Sequence, residues 1–306
     1  MAECANCGTQ LVGGYCHACG QKRFDEQDRR FSHLLRDFLE SATDLDSRVW
    51  RSVRALLFQP GRLSREYFLG RRARWLSPAT LFLLVNLLYF LAPLHGGDFS
   101  LQFAQQVSGR VRALAAGPDH HYSPEQLAGT GQAHSRLTEP WIERRIARRD
   151  AAARAASEGR SGYDYRDYRL AYDARADDVS KALVILHLPP VALMLALVLA
   201  WRRYYYAEHF VFALHYFAFA LAALQLVIQM QALAQAVSPE WAPGAQALDW
   251  FMRVLLCGYA VLASRRAYSL GWPGAFVVAA AMLAAIIAFN LYVYRAIQFA
   301  VTFALT

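Results

Sequence analysis

The chain has 306 residues, of which 56% are hydrophobic, and it carries a formal net charge of +8. Its hydrophobic residues are concentrated in long runs that are apolar around the whole helical circumference, a distribution that excludes an ordinary soluble helical protein. The sequence therefore predicts an all-α integral membrane protein, and its elements are described below in chain order.

Residues 1–24 predict a small zinc ribbon. The stretch CANCGTQLVGGYCHACGQKR contains two Cys-x-x-Cys pairs, and two such turns close a tetrahedral four-thiolate shell typical of structural zinc. The predicted ligands are Cys4, Cys7, Cys16 and Cys19. Gly8 and Gly20 follow the two pairs, where a metal-binding turn needs a positive φ. A closed four-sulfur shell has no open position for a substrate, so this zinc would be structural.

The alternative interpretation of these cysteines is a disulfide or a redox motif. Redox Cys-x-x-Cys motifs come singly, before a helix in a βαβ context, whereas this chain has two pairs in sequence. Zinc is therefore the favoured interpretation.

Residues 25–75 predict amphipathic, basic helices beside the membrane. Apolar residues recur at steps of three and four within residues 31–57, and the polar face mixes both charges. This segment can lie on the inner leaflet or pack on the ribbon and the cytoplasmic loops, and we favour the membrane surface. Five arginines are expected to bind anionic head groups, each contributing about 1 kcal/mol. They are Arg62, Arg65, Arg71, Arg72 and Arg74.

Residues 76–306 predict a membrane domain with five transmembrane helices. Each apolar run has about 17 to 23 residues, enough to cross roughly 30 Å of hydrocarbon. The predicted spans are residues 76–94, 183–201, 209–230, 245–263 and 272–294. The insert between the first two, residues 95–182, is rich in alanine and arginine, and it predicts external helices with little core of their own.

The short loops predict the orientation. Residues 201–209 and 263–272 each contain an Arg-Arg pair, whereas residues 231–244 contain no basic residue, so the first two loops are expected in the cytoplasm. The N-terminus is then expected in the cytoplasm and the C-terminus on the periplasmic or external side. This placement agrees with the zinc hypothesis, because the reducing cytoplasm disfavours disulfides.

Three stretches share motifs with a known family. They read CANCGTQLVGGYCHACGQ, FQPGRLSREYFLGRRARWLSPATLFLLVNLLYF and RRYYYAEHFVFALHYFAF. Together they resemble a bacterial membrane family catalogued as domain of unknown function 3667. The resemblance implies a zinc ribbon followed by a polytopic inner-membrane region, and it implies no activity or substrate.

Polar residues within the predicted spans form a candidate intramembrane site. Asn86 and His215 are expected at similar depths in the first and third spans, and Glu208 lies seven residues before His215 on the same helical face. We predict that the three open to the cytoplasm as a polar cavity or a second metal site. The alternative is interhelical hydrogen bonds of about 0.6 kcal/mol each that serve packing.

These features favour a membrane protein that recruits or senses a cytoplasmic or membrane partner. A small-solute or ion transporter or channel is the alternative, disfavoured because no inverted repeat is visible. A membrane enzyme is less favoured, since the sequence has no His-Glu-x-x-His or Gly-x-Ser-x-Gly motif and we assign no catalytic residue. Nucleic-acid binding is disfavoured because acidic residues dilute the basic patch around Lys22 and Arg23.

Overall fold

The computed structural model of the chain consists almost entirely of helices. It describes residues 3–21, 23, 48–92, 101–116, 132, 134–158, 162–238, 240 and 243–306. Apart from isolated bridges in the cysteine-rich segment, these residues contain no β-strand, which confirms the predicted all-α class for this part of the chain. Residues 25–47 of the predicted amphipathic segment lie outside the described residues, and residues 48–75 lie within them.

The helices follow one another along the chain with short connections. In chain order they are α1 (Arg48–Phe58), α2 (Arg62–Phe68), α3 (Pro78–Leu91), α4 (Phe103–Gln106), α5 (Gly109–Ala116), α6 (Ser135–Ala156), α7 (Tyr165–Leu183), a 3₁₀ turn (Val184–His187), α8 (Leu188–Val198), α9 (Tyr206–Val237), α10 (Ala245–Ala267), α11 (Trp272–Phe289), a π turn (Asn290–Tyr294) and α12 (Arg295–Leu305). They divide into two compact units, one of Met1–Gly96 with Leu188–Ile286 and one of Gly97–His187 with Ile287–Thr306.

Three helices of the described chain are long and apolar enough to cross a membrane. They are Tyr206–Val237, Gln246–Ala267 and Trp272–Leu305. A fourth span results if the broken pair Tyr165–Ser180 and Val184–Val198 counts as one. The three helices coincide with the last three predicted spans, whereas the first predicted span falls on the 14-residue apolar helix α3.

Local sequence explains where these helices break. The Ser77 side chain accepts a hydrogen bond from the Thr80 backbone N–H at 3.2 Å, and Pro78 occupies the first helical position, so α3 begins there. Proline also interrupts the second predicted span. Because Pro189 and Pro190 supply no N–H, they cannot close α-helical hydrogen bonds to the preceding residues, which form a 3₁₀ turn instead.

The first unit is organised around α9. This helix packs against α3 and α8, and it also contacts α1, α2 and α10. Within the same unit the Tyr259 hydroxyl of α10 donates to the Leu56 carbonyl of α1 at 2.9 Å, and the Phe219 and Tyr259 rings stack at 3.4 Å. The amino-terminal half of α9 is buried by these neighbours.

The second unit has a core of its own, so the expectation of little core in the insert is wrong. Its buried residues are Phe103, Val107, Val111, Ala115, Ile142, Ile146, Tyr168, Tyr172, Ala176 and Phe299. Phe103 packs edge-on against Tyr168 and Tyr172 at 5.4 and 5.5 Å. Most of these residues follow one another at intervals of four, so the helices bury a narrow apolar face. The mean hydropathy of the whole insert is low and does not reveal this face.

Candidate metal centre

The four predicted cysteine ligands come together in the structure. Their sulfur atoms all lie within 4.8 Å of one another. The Sγ atoms of Cys4 and Cys19 are 3.6 Å apart, and those of Cys7 and Cys16 are 3.5 Å apart. A tetrahedral ion with metal–sulfur bonds of about 2.3 Å requires sulfur–sulfur distances near 3.8 Å. The cluster can therefore hold one metal ion with only small adjustments.

Two equivalent backbone turns present these sulfurs. In the first, the Cys4 N–H donates to the Thr9 carbonyl at 2.9 Å and the Gly8 N–H donates to the Cys4 carbonyl at 2.8 Å. The second turn repeats both bonds, from Cys16 N–H to the Gln21 carbonyl and from Gly20 N–H to the Cys16 carbonyl, each at 2.8 Å.

The two turns also repeat the backbone conformation expected at their glycines. Gly8 has a φ of 76° and Gly20 a φ of 72°, which confirms the positive values predicted from the spacing of the cysteine pairs. Nothing lies within 4 Å of a Cβ built on either glycine. The conformation, rather than the space around it, therefore requires glycine at both positions.

The surroundings of the thiols differ. Hydrogen bonding by Thr9 lowers the pKa of Cys7 to about 6, and a backbone hydrogen bond from Gln21 lowers the pKa of Cys19. Burial instead raises the pKa of Cys16 to about 11. Metal ligands must be thiolates. The hydrogen bonds at Cys7 and Cys19 favour the thiolate form, whereas the burial of Cys16 favours the thiol, and a cation bound beside Cys16 would offset that effect.

Gln21 connects the cysteine cluster to the segment that precedes α3. Its side-chain amide donates to the Gly70 carbonyl, and its side-chain oxygen accepts from the Arg72 and Ala73 N–H groups at 3.1 Å each. Gln21 is only 7% exposed, and its own carbonyl accepts the Cys16 N–H. One buried side chain thus joins the second cysteine turn to residues 70–73.

Two of the five predicted lipid-binding arginines lie over aromatic rings. The Arg72 guanidinium is 3.9 Å from the centre of the Tyr67 ring, and the Arg62 guanidinium is 5.3 Å from the centre of the Trp75 ring. Such cation–π contacts orient the guanidinium group of an arginine.

The other three of these arginines differ in exposure. Arg71 and Arg74 are exposed, and Arg65 is half-buried. Arg71 pairs with Glu66 at 3.8 Å, a partly exposed pair of small energetic value. Lipid binding by these arginines stays a prediction.

The predicted intramembrane residues have partners that the sequence did not indicate. The His215 Nδ1 atom lies 3.0 Å from the buried Ser64 hydroxyl of α2. Glu208 is buried and its carboxylate accepts from the Tyr205 N–H at 2.8 Å, which caps the start of α9. Asn86 is half-buried on α3. A site shared by Asn86, Glu208 and His215 stays a prediction.

A buried aromatic cluster at the start of α9 escaped sequence reasoning. The Tyr268 hydroxyl lies 3.0 Å from His209 Nδ1. The ring of Tyr268 also contacts Phe68, Tyr204 and Phe212, with centroids 5.1 to 5.5 Å away. The run of tyrosines at positions 204–206 is the only sequence signal of it, and that signal equally fits a membrane-interface belt.

Comparison with known families gives a match to the segment that includes residues 70–73, which Gln21 contacts. Residues 46–90 match the family described as Protein of unknown function (DUF3667), which confirms the family resemblance. The matched segment contains α1, α2, residues 70–73 and all of α3 except Leu91. No curated protein and no solved structure matches the chain.

Proposed function

We propose that the chain is a membrane protein whose N-terminal ribbon binds structural zinc and recruits or senses a partner. Its residues 46–90 match the DUF3667 family. The observation that carries this proposal is the contact of Gln21 with the backbone of residues 70–73. A ribbon held in this way offers its remaining surface in one orientation. Its four-sulfur shell leaves no open position for catalysis.

Exposed apolar residues between the two turns form the proposed contact surface for a protein partner. Val12 is 91% exposed and Tyr15 is 68% exposed. Tyrosine is enriched at protein interfaces, and a metal-bound hairpin holds its side chains rigidly, so little conformational entropy is lost on binding. We assign the partner to this face of the ribbon.

The proposed topology has five spans, with the ribbon in the cytoplasm of a bacterial inner membrane and the C-terminus outside. Helix α3 is included as the first span because its outward-facing leucines need an apolar solvent. These are Leu83, Leu87, Leu88 and Leu91, which are 38 to 70% exposed. The arginine pairs after α8 and in the last turn of α10 are exposed, and their charge supports a cytoplasmic location.

The proposed lipid contact lies at the cytoplasmic interface. Arg62 and Arg72 lie over Trp75 and Tyr67, and aromatic residues beside arginines are typical of the layer where head groups meet water. Contacts in this layer would hold residues 70–73, on which the ribbon docks, close to the inner leaflet.

Metal analysis of the purified intact protein tests the zinc proposal. We expect about one zinc per chain in the wild type, and well under one in Cys16→Ser, because three thiolates bind zinc far less tightly than four. Cys257→Ser is the matched control and should keep the metal, since Cys257 lies in α10. Equal metal content in wild type and Cys16→Ser contradicts the site.

Affinity capture from membranes tests the recruiting role. The intact protein is compared with a double variant, Val12→Ser with Tyr15→Ser, and with a chain lacking residues 1–24, at matched membrane levels. A partner recovered with the intact protein should be lost in both variants while the double variant keeps its zinc. Recovery that is equal in all three proteins would refute recruitment by the ribbon.

A further inference from the structure

A groove in the second unit lies far from the cysteines in sequence and has a basic, aromatic lining. It is formed by Trp141, Arg144, Arg145, Arg148 and Phe303, and its volume is about 230 Å³. Sites for drug-sized ligands measure about 300 to 1,000 Å³. This groove therefore suits a smaller group, of the size of a phosphate with its neighbouring atoms.

The groove residues of α6 share one face of that helix. Trp141, Arg144, Arg145 and Arg148 are spaced three, four and seven residues apart, which aligns them along the helix surface. Arg145 is fixed in place, since its guanidinium lies 3.7 Å from the centre of the Phe303 ring and donates to the Phe303 carbonyl. One of the three arginines is thus preorganised by the last turn of α12.

The other two arginines have no acidic partner within the described part of the chain. Arg148 is exposed, and Arg144 uses only its Nε–H, in a bond to the Pro140 carbonyl at 3.1 Å. The acidic residues of α6 bond elsewhere: Glu139 to the Ser108 N–H, Glu143 to Arg110, and Asp150 to Arg154 and the Tyr163 N–H. Arginines four residues apart repel each other, and an anion bound between Arg144 and Arg148 would remove this repulsion.

The position of Phe303 places the groove at the level of lipid head groups. Phe303 lies in the last turns of the candidate span Trp272–Leu305, which has 34 residues. A helix of that length extends about 51 Å, whereas the hydrocarbon layer measures about 30 Å. A helix of this length that is centred on the hydrocarbon extends about 10 Å past it at each end, so its final turns lie among the head groups. The half-exposed Trp141 is of the kind enriched at membrane interfaces.

We propose that this groove binds the phosphate of an anionic phospholipid. Arg144 and Arg148 contact the phosphate, Arg145 supplies a fixed positive charge between them, and Trp141 and Phe303 pack against the glycerol and the start of the acyl chains. The inference rests on the membrane location of the chain and is independent of the zinc ribbon. Planar guanidinium groups bind phosphate oxygens through paired hydrogen bonds, which suits this arrangement.

Native mass spectrometry of the intact protein, released from micelles doped with a defined lipid, tests the proposal. Dioleoylphosphatidylglycerol is the anionic probe, and dioleoylphosphatidylcholine is its neutral counterpart. The test protein is Arg144→Gln with Arg148→Gln. The matched control is Arg136→Gln with Arg166→Gln, which removes the same charge from exposed positions of α6 and α7 outside the groove.

The expected result is the loss of one retained phosphatidylglycerol per chain in the test protein, with unchanged retention in the control and no difference for phosphatidylcholine. The single variant Arg148→Gln should give an intermediate loss, which guards against a folding defect in the double variant. Equal phosphatidylglycerol retention by test and control proteins would overturn the proposal. A similar loss of both lipids in the test protein would also overturn it, because it would indicate apolar contact alone. Displacement of phosphatidylglycerol by millimolar glycerol 1-phosphate would overturn it as well, because it would indicate a site for soluble anions.

Discussion

Gln21 is the residue on which the position of the cysteine cluster depends most directly. Its side chain makes three hydrogen bonds to backbone atoms of residues 70–73, and it is buried while it does so. No cysteine takes part in these bonds. The side chains of the cysteine cluster and the side chain that contacts residues 70–73 therefore belong to different residues, although the Gln21 backbone lies within the second cysteine turn.

Replacing Gln21 with alanine should release the ribbon without removing the metal. Each hydrogen bond is worth about 1 kcal/mol net, so we expect amide hydrogen exchange in residues 3–21 to accelerate by roughly tenfold or more. The zinc content should stay unchanged. Gln10→Ala is the control, since Gln10 is exposed. Unchanged exchange in Gln21→Ala would show that other contacts hold the ribbon.

Asp150 gives the second unit a pH-sensitive contact. Its carboxylate accepts the Tyr163 N–H at 3.0 Å and pairs with Arg154 at 2.9 Å. The Tyr163 hydrogen bond and the Arg154 guanidinium lower the pKa of this carboxyl below its usual 3.8. A lowered carboxyl pKa means that the contact stabilises the folded state above about pH 4 and loses this effect as pH falls through the folded value.

We therefore expect the turn after α6 to loosen on acidification. Hydrogen exchange in residues 162–165, corrected for its intrinsic pH dependence, should show less protection at pH 3 than at pH 5 in the wild type. Asp150→Asn removes the titrating group and should show the same protection at both pH values. A pH-dependent loss of equal size in Asp150→Asn would assign the effect to another carboxyl group.

At the scale of elements, the approach of α2 to α10 depends on Gly61. Gly61 has a φ of 72°, and a Cβ at this position would lie 2.3 Å from the Ala263 carbonyl oxygen. Backbone atoms cannot move aside as a flexible side chain can. Glycine is therefore required both by the conformation of the turn between α1 and α2 and by the proximity of α10.

The variant Gly61→Ala should destabilise the first unit by about 2 kcal/mol or more, because the strain of a positive φ adds to the steric overlap. A thermal melt of the detergent-solubilised protein should show a lower midpoint. Gly258→Ala is a control on α10 itself, since nothing lies within 4 Å of its added Cβ, and alanine favours a helix. Similar midpoints for both variants would mean that α2 and α10 can separate at little cost.

At the scale of the whole molecule, the distribution of arginine among the loops predicts the orientation of the chain in the membrane. Reporter fusions ending at residue 150 and at residue 306 should be external, and a fusion ending at residue 268 should be internal, because arginine in short loops favours a cytoplasmic location. Activity of an alkaline phosphatase reporter marks the external positions. A fluorescent protein that folds in the cytoplasm marks the internal one. Residues 150 and 268 on the same side would refute the five-span topology.

Much of this molecule is predictable because its signals are local. The spacing of Cys4, Cys7, Cys16 and Cys19 indicates one cluster, and the structure brings these sulfurs within 4.8 Å of one another. The positive φ of Gly8 and Gly20 follows from the same spacing. The last three spans coincide with long apolar helices, since hydropathy depends on composition within one segment and not on distant contacts.

Other features depend on distant partners and leave little signal in the sequence. The core of the insert was not predicted, because each of its helices contributes only a narrow row of apolar residues, such as Tyr168, Tyr172 and Ala176. These rows form a core only where they pack against one another and against Phe299, which lies far away in sequence. The partner of His215 proved to be Ser64, which lies 151 residues away. A hydroxyl in a short helix is too common to identify as that partner beforehand.

The sequence by itself determined the helical class, the cysteine cluster and the apolar runs, because each follows from the spacing of residues within one stretch of chain. Only the tertiary structure decided which backbone segment the cysteine-rich segment contacts and which arginines meet at one groove. Gln21 binds backbone groups of residues 70–73, and every residue carries such groups, so no side-chain pattern marks the contact. Arg145 meets Phe303 across 158 residues, and the fold alone brings them together.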